Sequence, residues 1–214
     1  MISRPNRTSA FTLIELLAVI AIVGLLATFS IQAFSSIGQA RGATEAAYQI
    51  SNAVETARVE AITRHTFVWL GLQPQTNSGN MDLRVGIVFS RDGTPNPAPT
   101  NLRPVGRSVL IQRVGLINAA GVANVPPPPS RISEMANYSA GATFDIGSVR
   151  FTGCTLAFSP LGEVIRAASP SPNIGFEPRI GIGLAQMRGM TQSTNNLSAV
   201  LIDGSVGIPT IYRK

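Results

Sequence analysis

Between Phe11 and Gly38 the chain carries one charged side chain, Glu15, and Leu16–Ile31 holds nothing more polar than Thr28 and Ser30. An acid at membrane depth costs on the order of 3 kcal/mol even on the lenient insertion scale, so it is expected to face a cation. The alternative is a carboxylate among lipid headgroups at a helix start, where the dipole favours it. A cut between Ala10 and Phe11 would create an ammonium four residues before Glu15, on the same helix face. That amine, on this chain or a neighbour, would neutralise the carboxylate where water cannot. The spacing leaves both readings open.

The other reactive groups do not assemble. His65 would be the only imidazole available to activate Cys154 or a serine, but it stands at a helix end, where such a residue caps carbonyls or faces solvent. Cys154 sits in an apolar run and reads as a small buried hydrophobe. Gly181-Ile182-Gly183 begins like a dinucleotide fingerprint, yet the third glycine and the later ribose-binding acid are missing. Tight strand packing explains it better. Trp69 alternates with Phe67 on one strand face and reads as core. Asp145, Glu163 and Glu177 show no paired spacing and read as solvated loop charges. One Cys and one His give no basis for a disulfide framework or a zinc site. No enzyme, metal site or cofactor is expected.

The elements that would position Glu15 follow from periodicity. Phe11–Ile31 is 21 residues, about 31 Å as a helix, the thickness of a bilayer core. Arg4 and Arg7 precede it, which predicts a cytoplasmic leader and a translocated remainder. A secretory signal peptide fits less well: the run is too long, and a carboxylate lies inside it. Ala47, Ile50, Val54, Ala57 and Ala61 then recur at helical period, with Glu55/Arg58 and Glu60/Arg64 as flanking ion pairs. A helix from Phe11 to Arg64 would be about 80 Å long. Its second half needs a sheet to cover the stripe.

From Thr66 the period changes. Thr66–Leu72, Arg84–Ser90, Arg107–Val114, Ser148–Phe158, Ile180–Ala185, Ser198–Ile202 and Val206–Tyr212 read as strands. Turn signals fall at Asp92-Gly93, Pro160-Leu161-Gly162 and Asp203-Gly204, the last within a terminal hairpin. Thr94–Pro104 and Ala119–Ser130, the second containing Pro126 to Pro129, read as long surface loops. Charged residues are only 13% of the chain against 44% hydrophobic, too apolar for disorder and too poor in charge for an ordinary cytosolic domain.

Ala10-Phe11-Thr12-Leu13-Ile14-Glu15-Leu16-Leu17 resembles the leader junction of type IV prepilins and type II secretion pseudopilins. That family's usual Gly before the cut is Ala10 here, and a Pro that many pilins carry is Gln32. Thr56–Arg64 with the following strand, and Phe158-Ser159-Pro160-Leu161-Gly162, resemble the H-type minor pseudopilins and related minor pilins. The resemblance implies an α+β, pilin-like fold: a leader at 1–10, a transmembrane and fibre-core helix at 11–37, an amphipathic half at 38–64, and a β-rich periplasmic domain at 65–214. It also implies cleavage between Ala10 and Phe11 by prepilin peptidase, N-methylation of Phe11, and an assembly salt bridge from Glu15 to a neighbour's N-terminus. The chain would be an inner-membrane, single-pass protein with its domain in the periplasm or exported in a fibre. Its partners would be other pilins in a type II secretion-like pseudopilus or a type IV pilus. The segment from about Gly93 to Phe144 has no counterpart in that pattern.

A rival reading is a nucleic-acid-binding minor pilin for DNA uptake. Removing the leader leaves 15 basic and 11 acidic residues, net +4. Arg103, Arg107, Arg113, Arg213 and Lys214 would contact phosphates. They do not form one cluster in sequence, and surface solubility accounts for them equally.

Overall fold

An unbroken apolar run without proline favours helix, and in the computed structural model it forms α1, Leu13–Ala40. The structure describes residues 13–40, 42–95, 98–122, 133–134, 143–152, 154–166, 175–176 and 178–213, without the side chains of 28–40, 133–134, 166 and 175–176. The chain divides into two units, 1–40 and 41–214. In the first, every side chain described, from Leu13 to Ala27, is exposed, including ten large aliphatic residues. Among the described residues no helix is long and apolar enough to cross a membrane. The fifteen described side chains of α1 fall short of the roughly twenty a bilayer requires.

The second unit begins with α2, Gly42–Arg64. Its buried residues are Ala43, Ala46, Ala47, Ile50, Val54, Ala57 and Ala61, the expected stripe extended by one turn. Five of the seven are alanine, so the helix can lie close to what covers it. Both expected ion pairs form: Arg58–Glu55 at 3.8 Å, and Arg64–Glu60. The helix ends with His65 in the left-handed region, φ 52°. The His65 N–H donates to the Ile62 carbonyl and the Thr66 N–H to that of Ala61, a Schellman cap with His where Gly is usual.

The strands follow. The first two, β1 (Val68–Asn77) and β2 (Asn80–Ser90), form a hairpin longer than expected. Ser78-Gly79, both at positive φ, make its turn. Pro74 is tolerated because β9 borders β1 only as far as Leu72. Next come β3 (Leu102–Pro104), β4 (Val109–Ile111), β5 (Val114–Ile117) and β6 (Ser133–Glu134). The expected strand Arg107–Val114 is thus broken. Arg113 turns at φ 55°, its N–H held at 2.9 Å by the buried carboxylate of Asp82. The expected strand Ser148–Phe158 is also two, β8 and β9; the order is β7 (Phe144–Ile146), β8 (Val149–Phe151), β9 (Cys154–Phe158). The remainder are β10 (Val164–Arg166), β11 (Gly175–Phe176), β12 (Arg179–Arg188), β13 (Thr191–Asp203) and β14 (Ile208–Arg213). The terminal hairpin is β13–β14, and Asp203–Gly207 form its turn, so β14 starts later than expected.

One sheet has the order β11-β10-β9-β1-β2-β3, with β4 also on β2; a second has β14-β13-β12-β5, with β6 also on β12. All pairings are antiparallel except β6 with β12. The fold class is therefore α+β, an N-terminal helix followed by antiparallel sheets, as expected. Between α2 and the inner faces of both sheets lies the main core, with Ile50, Val54, Leu70, Leu83, Ile182 and Val200 fully buried.

The outer faces are covered by residues 117–122, inside the segment that had no counterpart in the resemblance, and by the β7–β8 hairpin, which begins where that segment ends. The β7–β8 hairpin, a separate two-stranded sheet, sets Phe144, Ile146 and Phe151 against Trp69, Val88 and Ala157. Room for the rings comes from Gly71 and Gly86, cross-strand partners on β1 and β2, where an added Cβ would come within 2.6 Å of those side chains. On the second sheet, residues 117–122 cross β12 at Gly183, whose added Cβ would lie 2.5 Å from the Ile117 carbonyl oxygen and 2.7 Å from the Ala119 nitrogen. Ala119 and Val122 are consequently buried. The expectation of open loops at Thr94–Pro104 and Ala119–Ser130 is corrected to this extent: Leu102–Pro104 is a strand, and Ala119–Val122 is packing. Pro126–Pro129 lie outside the described residues.

Two outcomes are expected. A fragment beginning at Arg41 should be soluble and unfold cooperatively, because the buried residues of the main core among those described run from Ala46 to Ile202. Within it, Gly183→Ala should lose about 1–3 kcal/mol, since main chain cannot yield as a side-chain tip can, and Phe151→Ala about 3–5 kcal/mol. Denaturant titration checks both; losses within about 0.5 kcal/mol would mean the overlay is not packed.

Candidate functional site

Ala10 and Phe11, the expected cleavage and methylation positions, lie outside the described residues. Glu15 is in the first turn of α1, where unpaired backbone N–H groups favour an acid. It is exposed, and it is the only charged residue among the fifteen described side chains of that helix. The helix thus presents one carboxylate near its start on an otherwise apolar rod.

The groups weighed for catalysis stay apart. His65 is exposed and lines an open cavity of about 540 Å3 with Arg64, Thr66, Phe89, Arg91 and Asp92. Cys154 is instead buried in the main core, where burial pushes its thiol pKa up. Asp145 on β7 is exposed and stands 3.9 Å from Arg150. Glu163 follows the β9–β10 turn, and Glu177 lies outside the described residues. Gly181 and Gly183 sit mid-strand in β12, with main chain packed on Gly183. Trp69 is core, 6.5 Å from the ring of Phe67. Among the described residues no group of three His, Cys, Asp or Glu side chains is placed to hold a metal.

Two aspartates that were read only as turn residues are strong local acceptors. Asp92 accepts from the Ser90 hydroxyl at 2.5 Å, from the Thr94 hydroxyl and N–H, and from Asn101 at 2.7 Å. The Ser90 bond leads in holding its pKa far below the usual carboxylate range. Asp203 is lowered likewise, first by the Ser205 hydroxyl, which donates at 2.6 Å. Both close Asx turns. The expected Pro-Leu-Gly turn is present too: the Gly162 N–H donates to the Ser159 carbonyl at 2.8 Å, with Gly162 at φ 84°.

The cations considered for nucleic acid are dispersed in role. Arg103 donates to the carbonyls of Thr100 and Leu102. Arg107 and Arg113 are exposed. Arg213 donates to the Tyr48 hydroxyl and lies 5.1 Å over its ring, and Lys214 lies outside the described residues. Sequence reasoning missed the Tyr48–Arg213 pair because 165 residues separate its members.

Residues 5–31 match the prokaryotic N-terminal methylation motif, the prepilin-type signal. No curated protein and no solved structure matches the chain. The motif supports a type IV pilin- or pseudopilin-like precursor, and it implies processing by prepilin peptidase, pilin assembly and anchoring in a membrane. A pilin-like part is structural rather than enzymatic.

Cys154 supplies a check on its buried placement. A raised pKa and burial predict slow labelling by a thiol reagent at neutral pH, at a rate that follows unfolding and rises when denaturant is added. Rapid native-state labelling would contradict the placement. For Asp92 the sign is that of a lowered pKa: the bonds to its carboxylate contribute above the ordinary value of about 3.9 and are lost only as pH falls through the lower folded value. An NMR titration should therefore show the bonds of Asp92 to Ser90, Thr94 and Asn101 intact at pH 4.

Proposed function

We propose that this chain is a minor pseudopilin or pilin subunit of a type II secretion-like pseudopilus or a type IV pilus. Prepilin peptidase cuts between Ala10 and Phe11 and methylates the new amine of Phe11. The mature helix, residues 11–37, anchors the chain in the inner membrane, with the β-rich domain on the periplasmic side, until assembly draws it into a fibre. Glu15 pairs with a neighbour's N-terminal ammonium. The observation that carries this reading is the methylation motif at residues 5–31, joined to an N-terminal helix followed by antiparallel sheets. The H-type assignment within that group rests on the Thr56–Arg64 and Phe158–Gly162 segments.

Physical chemistry supports the order of events. A peptidase acting on the cytoplasmic side meets the leader that Arg4 and Arg7 hold there. Cleavage converts an amide into a cation, which supplies the counter-charge that Glu15 needs in a low-dielectric contact. Each chain then offers an acid and an amine to different neighbours, an arrangement that does not close and so generates a filament.

Intact-mass measurement of membrane-extracted protein tests the processing. A chain starting at N-methylated Phe11 is expected; one starting at Met1, or after Ala33, overturns the reading. Glu15→Val should insert and be cleaved normally, since the roughly 3 kcal/mol cost of its charge is gone. Assembly should fail, because an unpaired amine left in the contact costs about 3–5 kcal/mol. Crosslinking to fibre neighbours at the wild-type level, with normal cleavage, would remove Glu15 from the mechanism.

A further inference from the structure

Exposed apolar side chains stand at both ends of the second unit, so exposure alone selects none of them. Leu161 is 78% exposed at one end and Met190 57% at the other. What separates them is their distance from Gly42, where the chain enters α2. Arg58 donates to the Val206 carbonyl at 2.6 Å and lies against the Gly162 position. Leu161 and Val206 are therefore sixteen residues along α2 from Gly42, about 24 Å, with Glu163 and Asp203 beside them. Met190 belongs to the Gly42 end. Arg179 pairs with Asp203, and a Cβ at Gly42 would lie 3.4 Å from the Gln186 side chain, so β12 runs back along α2. Past Gln186 it continues to the Gly189-Met190 turn, up to about 10 Å further.

Three turns meet at that end. The Ser78-Gly79 turn of β1–β2 abuts the Gly189-Met190 turn: the Met81 N–H donates to the Gly189 carbonyl at 3.1 Å. The Thr76 hydroxyl lies 4.0 Å from the Met190 sulfur. The turn at Arg113 is tied in from both sides. Its carbonyl accepts from the Met187 N–H at 2.8 Å, and its N–H is held by Asp82. Backbone bonds thus join the tips of both sheets into one surface.

The charge on this surface has one sign. Residues 73–82, 112–114 and 187–196 form the turns and their flanks, and they carry two exposed cations, Arg113 and Arg188. Their one acid, Asp82, is buried and bonded to the Arg113 N–H. Glu45, the exposed acid in the first turn of α2, lies past Gly42 on the side away from the tips, and Arg213 over Tyr48 follows it. The other exposed residues of the turns are uncharged and polar, Met190 apart. At the opposite end acids and arginines are mixed: Glu163 and Asp203 stand with Arg58 and Arg179.

We propose that these joined turns rest on anionic phospholipid headgroups of the membrane that holds the N-terminal helix. The inference rests on the anchored-precursor reading above. As helix, which α1 keeps to Ala40, the eleven residues from Ile31 to Gly42 cover about 16 Å. Tips reaching up to about 10 Å past Gly42 come level with a headgroup layer about 5–7 Å deep when this end is turned to the membrane. Leu161, on the far side of Gly42, does not. Arg113 and Arg188 meet lipid phosphates, and Met190 adds an apolar tip at the headgroup boundary. So few groups make a weak contact, one that holds the domain down before assembly and breaks when the chain is drawn into a fibre.

The test uses the full-length chain reconstituted in vesicles of phosphatidylcholine, with and without phosphatidylglycerol. Fluorescent probes are placed singly at Ser78→Cys, Leu161→Cys and Ile20→Cys; Cys154 is buried and stays unlabelled. Headgroup spin-labelled lipid should quench the Ser78 probe, more strongly with phosphatidylglycerol and less in high salt, and leave the Leu161 probe bright. Arg113→Glu combined with Arg188→Glu should lower the quenched population about tenfold, with the thermal unfolding midpoint unchanged. The salt series makes the same point on the unaltered turns. Equal quenching of the Ser78 and Leu161 probes would overturn the chosen end, and equal quenching in both kinds of vesicle would overturn the anionic partner. An unquenched Ser78 probe, with the Ile20 probe quenched by acyl-chain spin label, would overturn the contact and leave the anchor standing. An Ile20 probe that stays in water would remove the anchor reading, and this inference with it.

Discussion

A single helix with an alanine-rich stripe has to satisfy two sheets at once, and the domain depends on how closely it can do so. Ala43, Ala46, Ala47, Ala57 and Ala61 keep the side chains between helix and strand short, while Ile50 and Val54 are the larger buried residues of the stripe. A larger residue at any alanine would lift α2 from both sheets together and leave voids that the rigid strands could not close. Each sheet therefore has one face fully committed. Its other face must be polar or covered by something else.

The chain covers it, from one continuous stretch. Residues 117–122 lie on the second sheet and β7–β8 on the first, and each landing is prepared by a missing side chain: Gly183 in one case, the Gly71–Gly86 pair in the other. These glycines are costly in a strand unless something needs the space. Here backbone and aromatic rings do. The same logic explains why Gly181-x-Gly183 imitates a phosphate-binding loop without being one: both require close approach of another group, but here that group is the chain itself.

Much of this was legible beforehand and some was not, for identifiable reasons. The α2 stripe, its two ion pairs, the turn at Pro160–Gly162 and the terminal hairpin follow from period and turn chemistry, which are local. The motif at residues 5–31 was legible because charge is so rare around Glu15. The β1–β2 turn was missed because its flanks, Gln73–Asn77 and Asn80–Asp82, are too polar to read as strand. The left-handed cap was hidden because His65 stands where Gly is usual. The breaks at Gln112–Arg113 and at Thr152 depend on Asp82 and Gln73, which hold the Arg113 and Thr152 N–H groups. No local pattern reports a partner so far along the chain. The same is true of Tyr48 and Arg213.

Among the described residues, the β7–β8 hairpin is hydrogen-bonded along its backbone only to itself. A two-stranded ribbon of this length is marginal alone, so its order is borrowed from the rings of Phe144 and Phe151 resting in the glycine window. Amide protons there would exchange with solvent by a private opening, well before the ladders of the larger sheets release theirs. In evolutionary terms the ribbon is a detachable patch. Lineages could lengthen it, shorten it or replace it without disturbing strand order, so long as Gly71 and Gly86 were refilled with side chains in the same step.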